Sequence, residues 1–108
     1  MNTMTPEARA LTALGHDARL SIFRLLIKAG DGGLNVGQIG AHLGIAPSTL
    51  AHHLGTLVDA GLVRQERLGR EVVNHADFVV IRRLAGFLVA ECCAGLPAVA
   101  LPTEEATV

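Results

Sequence analysis

Apolar side chains recur at helical spacing along most of the chain, and capping residues and glycines interrupt them at short intervals. Thr5, Asp17, Asn35 and Asp77 stand where a helix N-cap is needed, and a glycine follows each of the first four predicted helices. Such residues satisfy the free backbone groups at helix ends. The pattern predicts five helices: Pro6 to about Leu14, a helix capped by Asp17 that runs to Ala29, Val36 to Leu43, Pro47 to Ala60, and Phe78 to about Cys93.

The helix that begins at Pro47 has two chemically different faces when its residues are placed at 100° intervals. The inner face is apolar and carries Leu50, Leu54, Leu57 and Val58. The outer face carries Ser48, His52, Gly55 and Thr56, with Thr49 at its edge and His53 on its flank. These outer side chains are short, uncharged and able to form hydrogen bonds, which suits a DNA major groove. The alternative is a solvated polar face, although such a face more often carries Lys and Glu.

Only Gly44, Ile45 and Ala46 separate this helix from the one before it. Two short helices joined by so tight a turn predict a helix-turn-helix. The next residues, Leu62–Arg67 and Glu71–Ala76, read as two strands around a short turn. A hairpin directly after a helix-turn-helix is the order of a winged helix, so the predicted fold is mainly α with a β-hairpin wing.

The predicted wing carries mixed charge. Arg64, Arg67 and Arg70 lie on or near it, where they can reach DNA phosphates, and Glu66 and Glu71 offset them. A solvated hairpin that contacts nothing is the alternative.

The last predicted helix, after Asp77, is apolar on nearly all sides. A helix of this kind must be buried on most sides, and a domain this small cannot cover it alone. We therefore expect a homodimer built on this helix, with the first helix alongside. Residues 1–93 form the predicted DNA-binding and dimerisation domain, and residues 94–108, which include Pro97 and Pro102, form an irregular or mobile tail.

Composition narrows the possible functions. The chain has 108 residues, half of them hydrophobic, and a net charge of −1, so charge alone does not indicate a nucleic-acid partner. There is no signal-like segment and no apolar run long enough to span a membrane, which predicts a cytoplasmic protein without a membrane partner. The two cysteines are adjacent and are expected to remain thiols in a reducing compartment.

From Leu14 to Cys93 the chain resembles the ArsR/SmtB family of dimeric winged-helix repressors. The resemblance rests on LGHDARLSIFRLL, IGAHLGIAPSTLAHHLGTLVDAGLV and the wing-like RQERLGREVVNHAD, although Ala46 stands where many relatives have a capping Ser or Thr. It implies a homodimer that binds double-stranded operator DNA and leaves it when an inducer binds. It also implies that Ser48, Thr49, His52 and Thr56 approach bases or phosphates, with Arg67 and Arg70 of the wing beside them. His53 either joins these contacts or supports the helix from inside.

The resemblance leaves the inducer open. The last helix lacks the His and Asp ligands that zinc-sensing relatives use, but Cys92-Cys93 resembles the vicinal C-terminal pair of one arsenite-responsive subgroup. Soft thiolates suit trivalent arsenic or antimony, so arsenite or antimonite is the candidate inducer at Cys92 and Cys93. That subgroup adds a third cysteine, which Ala94–Val108 does not contain, so either a two-thiolate site or a third ligand from elsewhere is required. The alternatives are cysteines that pack a dimer core, or a redox or reactive-sulfur sensor.

Other classes of function fit less well. A small thiol enzyme would need a Cys-x-x-Cys motif, a phosphate-binding loop or an acid–base pair, and none is present. We therefore predict that the chain is not an enzyme and needs no cofactor. A winged helix that binds protein instead of DNA remains the other alternative, because the net charge is close to zero.

Overall fold

The computed structural model describes residues 4–98, and these form five helices and a three-stranded sheet. The elements in chain order are α1 (Pro6–Leu14), α2 (Asp17–Ala29), a 3-10 turn (Gly30–Gly32), β1 (Leu34–Asn35), α3 (Val36–Leu43), α4 (Pro47–Asp59), β2 (Val63–Leu68), β3 (Glu71–Ala76) and α5 (Phe78–Val89). This is a winged helix-turn-helix, as the sequence predicts.

Local sequence explains most of the helix ends. Thr5 caps α1 through its side chain, and Asn35 forms a reciprocal capping box with Gln38 at the start of α3. At the end of α4, Gly61 has a φ of +79°, and the N–H of Leu62 donates to the carbonyl of Leu57. This glycine-based C-terminal cap leaves Leu62 buried, and the chain then continues into β2 of the wing.

One predicted cap is wrong. The N-cap of α2 is His16, whose Nδ1 accepts a hydrogen bond from the N–H of Ala18 at 3.2 Å, and Asp17 is the first helical residue. Asp17 still places a negative charge in the first turn, where the helix dipole favours it.

The core lies between the inner face of α4 and the surrounding helices. Leu50, Leu54 and Leu57 are at most 1% exposed, and Val58 packs partly buried against them. They meet apolar side chains of α1, α2, α3, the sheet and α5: Ala10, Ala13, Ile22, Phe23, Leu26, Ile39, Leu62, Val63, Ala76 and Leu84. The predicted inner face is therefore confirmed.

The sheet contains one strand that the sequence pattern does not reveal. β1 pairs antiparallel with β3, so the strand order is β1-β3-β2. Asn74 on β3 is fully buried and joins all three strands, because its side chain accepts from Gln65 Nε2 at 2.9 Å and donates to the Leu34 carbonyl at 3.2 Å. The wing is thus anchored to the segment that leads into α3.

The last helix is shorter than predicted. It ends at Val89, not at Cys93, because Ala90 turns to an extended conformation and Glu91 and Cys93 adopt positive φ angles of 66° and 64°. Every described residue after Leu84 is exposed, so no packing within the single chain holds further helical turns. Residues 94–98 contain no helix or strand, and the rest of the predicted tail lies outside the described residues.

Candidate DNA-binding surface

The outer face of α4 is held in place by its connection to α3. Gly44 ends α3 in the left-handed conformation, and Ala46 begins α4 without a side-chain cap. The Ala46 carbonyl accepts the first intrahelical bond from Leu50 at 2.9 Å. Because the other side of α4 is locked into the core, the outer face is presented as one rigid surface.

Four of the predicted outer-face residues are exposed: Ser48, Thr49, His52 and Gly55. Thr56 is half-buried, and its hydroxyl donates to the His52 carbonyl at 3.3 Å, which leaves the oxygen able to accept. These five residues, which we call the outer face of α4, offer small donors and acceptors without a charged side chain. Such a surface can enter a major groove and reach base edges.

His53 does not belong to this exposed set. Its side chain is only 7% exposed, and its ring lies 4.8 Å from the ring of His16 in the turn before α2. The buried Nδ1 atom of His53 has no hydrogen-bond partner in the structure. The prediction that His53 contacts DNA is therefore corrected: the side chain supports the helix from inside.

The wing exposes Arg64, Arg67 and Arg70. The two glutamates of the wing are held by other residues: Glu66 by Nε2 of His75 at 3.1 Å, and Glu71 by the side-chain amide of Asn35. Among residues 4–98, the His75–Glu66 contact is the only one within 4 Å between an acidic and a basic side chain. Among the described residues, none of the three wing arginines pairs with a carboxylate, so their guanidinium groups can contact phosphates.

Comparison with known proteins identifies the family. A helix-turn-helix domain model matches residues 14–66. The cadmium metal-sensor CMTR from Mycobacterium tuberculosis is 30% identical, with a TM-score of 0.58 over 88% of this chain and 98% of that chain. The chain belongs to the ArsR/SmtB family.

Two further structures agree with this assignment. The AntR antimony-specific transcriptional repressor is 28% identical, with a TM-score of 0.59 over 79% of this chain and 77% of that chain. An ArsR-like transcriptional regulator from Rhodococcus sp. RHA1 has a TM-score of 0.70 over 82% of this chain and 80% of that chain, and at 24% identity it shows the shared fold. No curated protein sequence matches the chain. This ArsR/SmtB protein is a DNA-binding transcriptional regulator and not an enzyme.

The ArsR/SmtB chain leaves an apolar surface exposed on α5. Val79, Phe87, Leu88 and Val89 are between 56% and 65% exposed. Leu84, by contrast, is 5% exposed and belongs to the core of the single chain. The described residues include no helix that is both long enough and apolar enough to cross a membrane.

The two cysteines follow the end of α5 instead of lying on it. Both are exposed thiols, and their Sγ atoms are 3.4 Å apart. Two adjacent sulfurs fit two bonds to one soft thiophilic centre. Within residues 4–98, however, no group of three His, Cys, Asp or Glu side chains could hold a metal ion.

Proposed function

We propose that this regulator is a homodimeric repressor that binds operator DNA through α4 and the wing. The outer face of α4 carries the proposal, because Ser48, Thr49 and His52 are exposed on a helix whose opposite side is fixed in the core. Arg67 and Arg70 on the wing supply phosphate contacts beside it. Operator binding also implies a cytoplasmic location.

Dimerisation follows from the apolar surface of α5. An exposed group of large apolar side chains on a small domain indicates an interaction site. A second copy of the chain would cover it and present two α4 helices to the DNA. Residues 1–93 would act as the DNA-binding and dimerisation unit, and residues 94–108 as its tail.

The inducer would be a thiophilic ion, arsenite or antimonite, captured by Cys92 and Cys93. The support is the pair of exposed thiols 3.4 Å apart, together with the likeness to an antimony-specific repressor. A ligand at this place does not block the DNA surface. It would release DNA only by favouring a dimer geometry in which the two α4 helices no longer fit the operator.

A redox or reactive-sulfur sensor is the second candidate. Its support is the absence of a third ligand near the pair within the described residues, since peroxide as the oxidant, or a persulfide as the sulfane-sulfur donor, can react with exposed thiols without one.

Band shifts on duplex DNA from upstream of its own gene test these proposals. We expect the reduced protein to prefer this DNA over a scrambled duplex of equal composition. Arsenite or antimonite should release the complex, whereas release by peroxide or persulfide alone would favour the second candidate. Equal retention of both duplexes would contradict operator recognition, and no retention of either would favour a protein partner.

A further inference from the structure

A cleft of about 170 Å³ opens where α1, the start of α2 and the end of α4 meet. Its polar lining includes two arginines and two threonines, Arg9, Arg19, Thr12 and Thr56. Asp59 also lines the cleft, and among residues 4–98 it forms no ion pair with either arginine. The cleft therefore carries one net positive charge and several hydrogen-bonding groups.

Both guanidinium groups are held by backbone carbonyls. Nη2 of Arg9 donates to the carbonyl of Asp59 at 3.1 Å, and Nε of Arg19 donates to the carbonyl of Ala13 at 2.7 Å. The remaining N–H groups of each guanidinium have no described partner and stay available for an anion. A planar guanidinium that is already fixed loses less conformational entropy when it binds phosphate.

The position of the cleft relates it to DNA. Thr56 lines the cleft and also belongs to the outer face of α4, where its hydroxyl bonds to the His52 carbonyl one turn earlier. A helix in a major groove has a phosphate backbone on each side, because the groove is only about 12 Å wide. If the outer face of α4 enters a major groove, a cationic cleft beside the C-terminal end of that face would lie next to the phosphate backbone.

We propose that Arg9 and Arg19 together clasp one phosphate of the operator backbone, at the opposite end of α4 from Ser48. This inference rests on the proposed function, because it assumes that the outer face of α4 enters the groove. It assigns a DNA contact to α1 and α2, outside the helix-turn-helix and the wing. The competing explanation is structural: each arginine merely caps the carbonyls at a helix C-terminus.

Replacing single backbone phosphates of the DNA with an uncharged analogue, one position at a time, distinguishes the two explanations. Duplexes from upstream of its own gene carry a single methylphosphonate at successive positions, and wild type is compared with Arg9→Gln/Arg19→Gln. For wild type, we expect one position in each half-site where neutralisation weakens binding about tenfold. The double variant should bind the unmodified duplex about tenfold more weakly and lose sensitivity at that position alone. The slope of log affinity against log salt concentration, called the salt slope below, should also become smaller in magnitude by about 1 per half-site.

Four controls accompany the experiment. Arg24→Gln removes an exposed charge from the same helix as Arg19 and should leave binding unchanged. Thermal unfolding checks that the double variant folds, and Arg9→Gln alone keeps the test valid if it does not, because Arg9 is exposed. Arg9→Lys/Arg19→Lys retains the charges and should keep most of the salt slope.

The outcomes separate the two levels of inference. If wild type fails to prefer its upstream duplex, the proposed function fails, and the clasp fails with it. If wild type binds but the double variant keeps the same methylphosphonate profile, the clasp alone is overturned. Stabilisation of wild type by millimolar inorganic phosphate, with no sensitive position on the DNA, would overturn the assignment to DNA in favour of a free phosphate ion.

Discussion

The ring of His53, on the buried side of α4, lies 4.8 Å from the ring of His16 and is tilted by 48° against it. His16 in turn caps α2 through Nδ1, so the two rings join the start of α2 to the middle of α4. His52, on the exposed side, has its ring 5.8 Å from that of His53. The adjacent histidines of the sequence therefore have different tasks, one facing outward and one supporting the helix.

This arrangement makes stability depend on pH. Burial lowers the pKa of His53 below 6.5, and the charges of His16, Arg19 and His52 lower it further. Between the folded and unfolded pKa values, the unfolded chain holds a proton on His53 that the folded chain does not. The free energy of unfolding should therefore fall as the pH drops below 6.5. Urea unfolding at several pH values measures it.

Replacing His53 provides the matching comparison. His53→Leu removes the titrating group and a buried nitrogen without a partner, so its stability should decline less than that of wild type between pH 7 and pH 5. His52→Gln, an exposed substitution next to it, should keep most of the wild-type pH dependence, because the charge of His52 is the smallest of the causes that lower the pKa of His53. Parallel curves for all three proteins would contradict the assigned role of His53.

Gly33 holds the sheet and the α3 segment close together. It has a φ of +65°, and a Cβ there would lie 2.6 Å from the Asn74 carbonyl oxygen and 2.7 Å from His75 Nδ1. Gly33→Ala should therefore lower the free energy of unfolding by about 2–4 kcal/mol through strain and overpacking. Gly32→Ala is the control, since nothing lies within 4 Å of its Cβ position. Chemical denaturation would disprove the prediction if the two variants were equally stable.

Leu88 and Leu84 should respond differently to a buried charge. Leu88 is 58% exposed in the single chain, so the Leu88→Glu variant should still fold. It should be monomeric at micromolar concentration, because the substitution places a charge in the proposed dimer interface. Leu84 is 5% exposed, so Leu84→Glu should unfold the protomer instead. Sedimentation and circular dichroism distinguish the two results, with Leu68→Glu on the wing as the control. A dimeric Leu88→Glu protein would place the interface elsewhere.

Local rules predict the parts of this fold that depend on neighbours in sequence. The capping box at Asn35 and the glycine stop at Gly61 are both predictable because their partners lie within five residues. β1 is not, because its two residues are defined only by pairing with β3, far along the chain.

The same limit applies to the candidate surface. Periodicity places His53 on the flank of α4, but only packing against His16 decides that it is buried. The pairing of Glu71 with Asn35 spans 36 positions and has no local signal. The end of α5 is not predictable from the sequence, because the apolar pattern continues past Val89. The residues there are exposed, so no packing holds them in a helix.

His52 and Arg70 should affect DNA binding in different ways. His52 lies on the exposed face of α4, so His52→Ala should weaken operator binding about tenfold and leave binding to scrambled DNA unchanged. Arg70, at the turn of the wing, touches only phosphate in the proposed complex. Arg70→Ala should weaken binding to both duplexes by a similar factor and reduce the salt slope by about 1 for each phosphate that it leaves unneutralised. Salt titrations of band shifts measure both, and unchanged operator affinity in both variants would reject the docking.

Cys92 and Cys93 should be needed for induction and not for DNA binding. Both thiols are exposed beyond the end of α5, away from the outer face of α4 in sequence, so Cys92→Ser/Cys93→Ser should bind the operator like wild type. Because two bonds to one thiophilic centre need both sulfurs, arsenite should no longer release the variant or either single variant. Ala90→Ser, a polar substitution on the same exposed segment, should still be released. If arsenite releases wild type and the double variant from the operator equally, the pair is excluded as the sensor. If wild type stays bound to the operator with every thiophilic ligand, an inducer site at these cysteines is rejected.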